Sequence, residues 1–209
     1  MNYAELIEEI SGYLEENDED SFVARLDDFV IMAEQAIYRA VSLPVTRFVD
    51  DGNIVCVAGT QTVTVPTNWL EIFAVTLKNA GASSNETKGL FRKDESFIRE
   101  VYPVSTTTGE PTDYAIIDQT TILLGPTPGS AYPLLFYYKK FPESIVTAGT
   151  TWLGTNCEQA LLFGSVYNAY LYLKGDADLL GEYRQKFMAE LQLLGYEGDD
   201  VPQDRRETT

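Results

Sequence analysis

Each end of this chain carries two apolar stripes of helical period, and the hundred or so residues between them are mostly of period two. In the first 43 residues, Leu6, Ile7, Ile10, Tyr13 and Leu14 form one stripe, with Glu5, Glu8, Glu9, Glu15 and Glu16 largely on the other side. Asn17-Asp18-Glu19-Asp20 breaks it, and Asp20 is placed to cap a second helix. Leu26, Phe29, Val30, Ala33, Ile37, Ala40 and Val41 then make a longer stripe that Pro44 ends. Helical spacing returns at Asn156, where Thr155-x-x-Glu158 and Asn156-x-x-Gln159 both read as capping boxes. Leu162, Ser165, Val166, Ala169, Tyr170 and Leu173 line one face of this helix. After Lys174-Gly175-Asp176, Asp176 caps a last helix with Leu180, Tyr183, Phe187 and Leu191 inward, closed by Gly195.

Between the stripes the period is two. Ile54–Val57, Gln61–Val65, Glu71–Lys78, Tyr114–Ile117, Thr120–Leu124 and Leu134–Lys140 read as strands. Asp50-Asp51-Gly52-Asn53 reads as a turn, Asn79–Thr87 as a loop, and Asp94–Tyr102 as a short helix capped by Asp94. No helix pair can bury its apolar face alone. The expected fold is therefore α+β: a discontinuous four-helix bundle from residues 1–44 and 152–196, with an antiparallel β domain, residues 45–151, inserted between. Residues 197–209 hold one aliphatic residue and no aromatic, too little apolar surface to offset ordering, and are expected to form a flexible tail.

Composition narrows the function. The chain has 209 residues, 44% of them hydrophobic, and no histidine. That removes Ser-His-Asp and Cys-His nucleophilic sites and every His-ligated metal. Cys56 and Cys157 stand too far apart for CxxC chemistry and read as buried thiols. The net charge is −17, with a pI near 4.2. Residues 1–28 alone hold ten acids and one base, and residues 197–209 hold five acids and two bases. Specific capture of DNA is not expected from such a surface, because it needs lysines and arginines on phosphates. The N-terminus has no signal-peptide pattern, and the uncharged window Gln159–Leu173 is too short to cross a bilayer, so a soluble protein made in the cytoplasm is expected.

The remaining motifs have plain readings. Asn17–Asp20 lacks the glycine and distal glutamate of a calcium loop and reads as an inter-helix turn. Asp50/Asp51, Asp94/Glu95 and Asp199/Asp200 fall in turn, cap or tail contexts and point to no catalytic pair. Lys139-Lys140 reads as a solvated pair on an edge strand. If DNA were bound at all, Arg92, Lys93, Lys139 and Lys140 would be the first residues to examine. Asn85-Glu86-Thr87 matches a glycosylation pattern, but nothing here marks secretion. No nucleotide-binding or esterase motif is present.

Several short stretches occur in a recognisable order. They are Asn68-Trp69-Leu70-Glu71-Ile72; Gly109-Glu110-Pro111-x-x-Tyr114-Ala115-Ile116-Ile117; and Ile122-Leu123-Leu124-Gly125-Pro126-Thr127-Pro128. Leu134-x-x-Tyr137-Tyr138-Lys139-Lys140, Thr151-Trp152-Leu153 and Leu161-Leu162-x-Gly164-Ser165 follow. In this order, over residues 1–194, the chain resembles the head-to-tail adaptor proteins of short-tailed bacteriophages, the tail-tubular-A-like group. The resemblance implies a non-enzymatic virion protein without cofactors, forming a typically dodecameric ring under the portal at the neck. That ring would extend the DNA channel and carry the tail nozzle and fibres. DNA would pass through without being bound specifically, and no membrane would be involved. With that family in mind, Val201 and Pro202 are expected as a small apolar anchor and Arg205 and Arg206 as carboxylate-pairing groups on the portal or an adjacent subunit. The alternative is an acidic binding module, regulatory or mimicking nucleic acid.

Overall fold

The structure, a computed structural model, describes residues 1–14, 20–78 and 87–199. The chain divides into a helical unit, Met1–Thr46 with the chain from Pro142 on, and a β unit, Arg47–Phe141.

The helical unit opens with α1, Tyr3–Tyr13, held by a capping box that the sequence reading did not include. The Asn2 side chain accepts from the Glu5 N–H at 3.0 Å, and the Glu5 carboxylate accepts from the Asn2 N–H at 2.8 Å. Leu6, Ile10 and Leu14 are buried, while Tyr13 sits exposed and edge-on to Phe163 and Tyr183. The Tyr3 hydroxyl donates to Asp27; burial first, and then this bond, pushes the phenol up to about 12. A single turn, α2 (Asp20–Val23), leads to α3, Leu26–Ala40. Leu26, Phe29, Val30, Ala33 and Ile37 of α3 are buried as their spacing requires, but Ala40 is exposed.

The returning chain forms α5 (Ile145–Ala148), α6 (Trp152–Asn156), α7 (Glu158–Leu173) and α8 (Ala177–Asp199). Helix α7 packs against α1, α3 and α8, and α3 also touches α8. Its apolar surface is correspondingly wide: Leu161, Leu162, Gly164, Val166 and Ala169 are all buried. Gly164 marks a tight contact between helices. A Cβ there would lie 3.0 Å from the Ala33 methyl and 2.9 Å from the Phe187 ring. Helix α7 ends with Lys174 in the left-handed region, and Gly175 follows against the Tyr170 ring, where a side chain has no room.

Three expectations about helix ends are corrected. Neither capping box forms at α7, whose N-cap position is Cys157. Thr151 caps α6 instead, while the Thr155 hydroxyl and the Asn156 amide donate back to carbonyls one turn earlier. Asp176 does cap α8, accepting from the Asp178 N–H at 2.8 Å. Gly195 does not close α8: it lacks a positive φ, and the helix runs on to Asp199.

One buried charge stands out in this unit. Glu34 is 3% exposed, and its Oε1 accepts from the Ile145 N–H at 2.9 Å. Ser144 also bonds it, so Glu34 ties α3 to the first turn of α5. Burial raises its pKa despite both bonds.

The β unit contains β1 (Arg47–Val55), β2 (Thr62–Thr64), β3 (Glu71–Lys78), β4 (Thr87–Gly89) and β5 (Phe91–Arg92). Helix α4 (Glu95–Val101) comes next, then β6 (Thr108–Gly109), β7 (Asp113–Ile116), β8 (Thr121–Gly125), β9 (Thr127–Pro128) and β10 (Pro133–Lys139). One four-stranded sheet has the order β1-β10-β3-β4 and another β2-β8-β7-β5, with a small β6-β9 pair. Pairing is antiparallel except for β5 with β7 and β6 with β9. Asp50–Asn53 is not a turn. Both Asp50 and Asp51 pair with β10, and the register shift between Asp51 and Ile54 places the extra residues in a bulge inside β1. Asp94 occupies the N-cap position of α4 without a side-chain bond to it.

Val75, Leu77, Leu134 and Phe136 from the first large sheet share one core with Val63, Tyr114, Ile122 and Leu124 of the second. On the far side of the second sheet, Ile98 and Tyr102 pack on Ala115 and Leu123. The buried Asp113 carboxylate fixes that arrangement, accepting from the Tyr102 hydroxyl at 3.1 Å and the Thr112 hydroxyl at 2.7 Å. The β2-β8-β7-β5 sheet thus has both faces covered over this stretch.

Two predictions follow from the helical unit. An exposed helical glycine usually gains about 1 kcal/mol on replacement by alanine. Gly164→Ala should gain nothing, and Gly164→Val should lose about 1–3 kcal/mol, because the added carbon must displace Ala33 or the Phe187 ring. Chemical denaturation of both variants reads this directly. For Glu34 the raised folded pKa means that folding favours the protonated form. Its contribution is present below the unfolded carboxylate range, about pH 4, and is lost as pH rises through the folded value. Glu34→Gln should therefore melt higher than the parent at neutral pH, with the difference shrinking toward about pH 4. A difference that grows on acidification would reverse the sign.

Candidate interaction surface

The β1-β10-β3-β4 sheet buries one face only in the core just described, and the other face is where the unusual chemistry lies. Alternation along β10 sends Leu134, Phe136 and Tyr138 inward and Leu135, Tyr137 and Lys139 outward, although Leu135 is itself buried, so the open part of this face is its Tyr137–Lys139 end. Because β10 lies between β1 and β3, the outward residues line up across three strands: Val49 with Tyr137 and Ala74, and Arg47 with Lys139 and Glu71. The register shift beside Tyr137 leaves Phe73 as the extra residue of β3. Val49, Phe73 and Tyr137 are 54%, 45% and 36% exposed, and Leu70, just ahead of β3, is exposed too. The solvated face of an antiparallel sheet ordinarily reads polar. This one is aromatic and aliphatic, with a cationic rim. The Arg47 guanidinium carbon lies 5.4 Å from the centroid of the Phe73 ring. Arg47 and Lys139 make no ion pair with any described residue.

The sequence holds a signal for this face. Ile72-Phe73-Ala74-Val75 and Leu134–Tyr138 are apolar at successive positions, which in strands means apolar on both faces. Lys139-Lys140, by contrast, is not an edge pair. The edges of this sheet are β1 and β4, and β10 is interior. The Lys140 ammonium sits 4.3 Å from the centroid of the Phe48 ring.

The other sequence candidates do not converge on a site. Arg92 and Lys93 stand at β5, an edge of the second sheet, beside an open cleft that Asp94 and Phe97 also line. The Lys93 ammonium stacks 5.1 Å from the centroid of Phe97. Glu95 is paired with Arg99 at 2.6 Å, and Asp50 and Asp51 lie along β1. Cys56 and Cys157 are buried and form no disulfide. Cys56 Sγ accepts from the Tyr132 N–H at 3.3 Å, and burial pushes the Cys56 thiol up. Asn17–Glu19, Asn85-Glu86, Asp200 and the four tail residues Val201, Pro202, Arg205 and Arg206 lie outside the described residues. Among the described residues no group of acids and cysteines is placed to hold a metal ion, and no helix is long and apolar enough to cross a membrane.

Compared with known proteins, residues 1–208 match the family model described as SU10 adaptor protein. No curated protein matches.

Adjacent residues of β10 should separate the two faces by stability. Phe136→Ala, on the core face, should cost about 3–5 kcal/mol. Tyr137→Ala, on the open face, should cost about 1 kcal/mol or less, the scale of a cross-strand pair. Equal losses in denaturant titrations would mean that the outer face is covered.

Proposed function

The chain belongs to the SU10 adaptor protein family, a family of phage adaptors, and from that premise we propose that it works as a structural ring under the portal. In this reading it is a tail-tubular-A-like adaptor of a short-tailed phage. Its ring is dodecameric, extends the DNA channel, and carries the tail nozzle and fibres. The carrying observation is the extent of the match: residues 1–208 include the helical unit and the β unit alike, so both belong to the adaptor body. No catalytic step is assigned to it. Residues 45–151 are taken as a domain inserted into the helical one.

The charge suits a conduit. DNA must slide through such a channel without being held, and a surplus of carboxylates offers few contacts for phosphate. Attachment to the portal is assigned to the C-terminal tail, residues 197–209, whose first three residues continue α8. Val201 and Pro202 supply its apolar anchor, and Arg205 and Arg206 its forks for carboxylates on the portal or an adjacent subunit.

The test uses heads assembled without this chain, supplied with the purified protein and viewed by cryo-electron microscopy. A ring should appear at the portal vertex. A chain truncated after Asp199, where α8 ends, should melt like the parent yet fail to occupy that vertex. Occupancy equal to the parent's would move the docking surface away from the tail. No ring with the full chain would defeat the reading itself.

A further inference from the structure

We propose that the open face of the β1-β10-β3-β4 sheet is the docking surface for a second copy of this chain, which seats the acidic outer side of its α1 there. The inference rests on the ring reading and names the contact that would repeat around the ring.

The composition of the face comes first. Val49, Phe73 and Tyr137 are contiguous on three adjacent strands and exposed, with Arg47 laid over Phe73. Aromatic residues and arginine are the side chains enriched where proteins meet, and an apolar centre with a charged rim is the usual anatomy of such a patch. Isolated exposed apolar residues mean little, but a cross-strand group of them does not arise from folding needs.

Charge then selects the occupant. Arg47 and Lys139 are cations without a described ion-pair partner in a chain of net charge −17. Seating this face against another copy of itself would set those cations against their own equivalents, with only Glu71 of the same row to relieve them. A two-fold pairing of the sheets is therefore disfavoured. The complementary surface exists elsewhere on the same chain. Glu8 and Glu9 of α1 are exposed, make no ion pair with described residues, and line an open groove of about 630 Å³ with Glu5, Ser11 and Gly12. Nothing stands within 4 Å of the place where a Gly12 side chain would begin, which leaves space for an aromatic ring from the facing sheet.

A contact between two different patches of one chain is heterologous. It repeats head to tail and generates a ring where the rotation closes.

The test again uses heads assembled without this chain. On them, carbodiimide should join Lys139 of one copy to Glu8 or Glu9 of the next, seen as a dimer on denaturing gels and mapped by mass spectrometry. Arg47→Glu with Lys139→Glu should weaken ring occupancy at least about tenfold, since two favourable pairs become repulsive. Adding Glu8→Arg and Glu9→Arg to that chain should restore it. Melting curves must match the parent, and Tyr137→Ser, which carries no charge change, serves as the second variant and should also lower occupancy. Rings of undiminished occupancy in the reversed variant would overturn this contact and leave the ring reading standing. In Tyr137→Ser, which keeps Lys139, Glu8 and Glu9, loss of portal attachment with the Lys139 cross-links intact would assign the face to a different protein and overturn it too, as would a four-site variant that fails to recover. If the parent chain forms no ring, the ring reading falls as well.

Discussion

The helical unit is joined by a tight contact between α3 and α7, where a Cβ at Gly164 would lie 3.0 Å from the Ala33 methyl. The two helices come from opposite ends of the chain. Near their contact the Asn168 amide donates to the Phe29 carbonyl at 3.2 Å, and Glu34 accepts from Ile145 across 111 residues. Contacts of such separation carry a loop-closure cost, although that cost grows only slowly with loop length. The β unit lowers it. Its first and last strands are neighbours, with Arg47 opposite Lys139, so the two ends of the inserted segment are already side by side through the β unit's own hydrogen bonds. Each unit thereby shortens the loop that the other must close, which is the usual condition under which an insertion into a helical protein is tolerated.

What the sequence made legible follows from where each signal resides. Helical stripes are local, and Leu6, Ile10, Phe29, Val30, Ala33, Tyr183 and Phe187 are buried where their spacing puts them. Turn chemistry is ambiguous. Asp-Asp-Gly-Asn suits a turn and a bulge equally, and only pairing with β10 decides for the bulge. The capping boxes at Thr155 and Asn156 failed because α6 had already taken those residues into its last turn. Lys139-Lys140 reads as an edge pair although β10 is interior, because strand order is a property of topology, which a single strand does not encode. Glu34 is the instructive miss. It lies four residues after Val30 and three before Ile37, in line with the buried stripe, and its partners at Ser144 and Ile145 come from a distant segment. The open sheet face was legible as strands apolar at every position, but which of the two faces stays uncovered depends on where the second sheet packs.

The few cations of this chain are distributed in an unexpected way. In a protein so rich in carboxylates, most bases would be predicted to sit in ion pairs. Arg25, Lys88, Arg99 and Lys186 do pair, with Asp28, Glu110, Glu95 and Glu182. But Arg47 lies over Phe73, Lys93 over Phe97 and Lys140 over Phe48, and Arg25 and Lys186 stack on rings as well, on Tyr172 and on Phe163 and Tyr183. An exposed cation on a ring gains about 0.5–1 kcal/mol, comparable to a surface ion pair, and leaves the carboxylates uncompensated. The acidity is thus displayed at the surface rather than cancelled within it.

That display bears on how such chains would assemble. Net charge alone argues against bringing copies of a −17 chain together. Screening changes the scale of the question, because charges beyond about 8–10 Å from a contact are largely hidden at physiological ionic strength. Repulsion within a ring is then decided by the residues near each contact, not by the sum. A face with two uncompensated cations is where an acidic neighbour meets the least resistance, and carboxylates elsewhere on the surface make every other approach worse. On the ring reading, the acidity that keeps DNA from adhering also selects the geometry of assembly: it suppresses most contacts between copies and spares the one that offers positive charge. The free energy still missing from so polar an association would come from the portal, which binds many copies side by side and raises their effective concentration at that vertex.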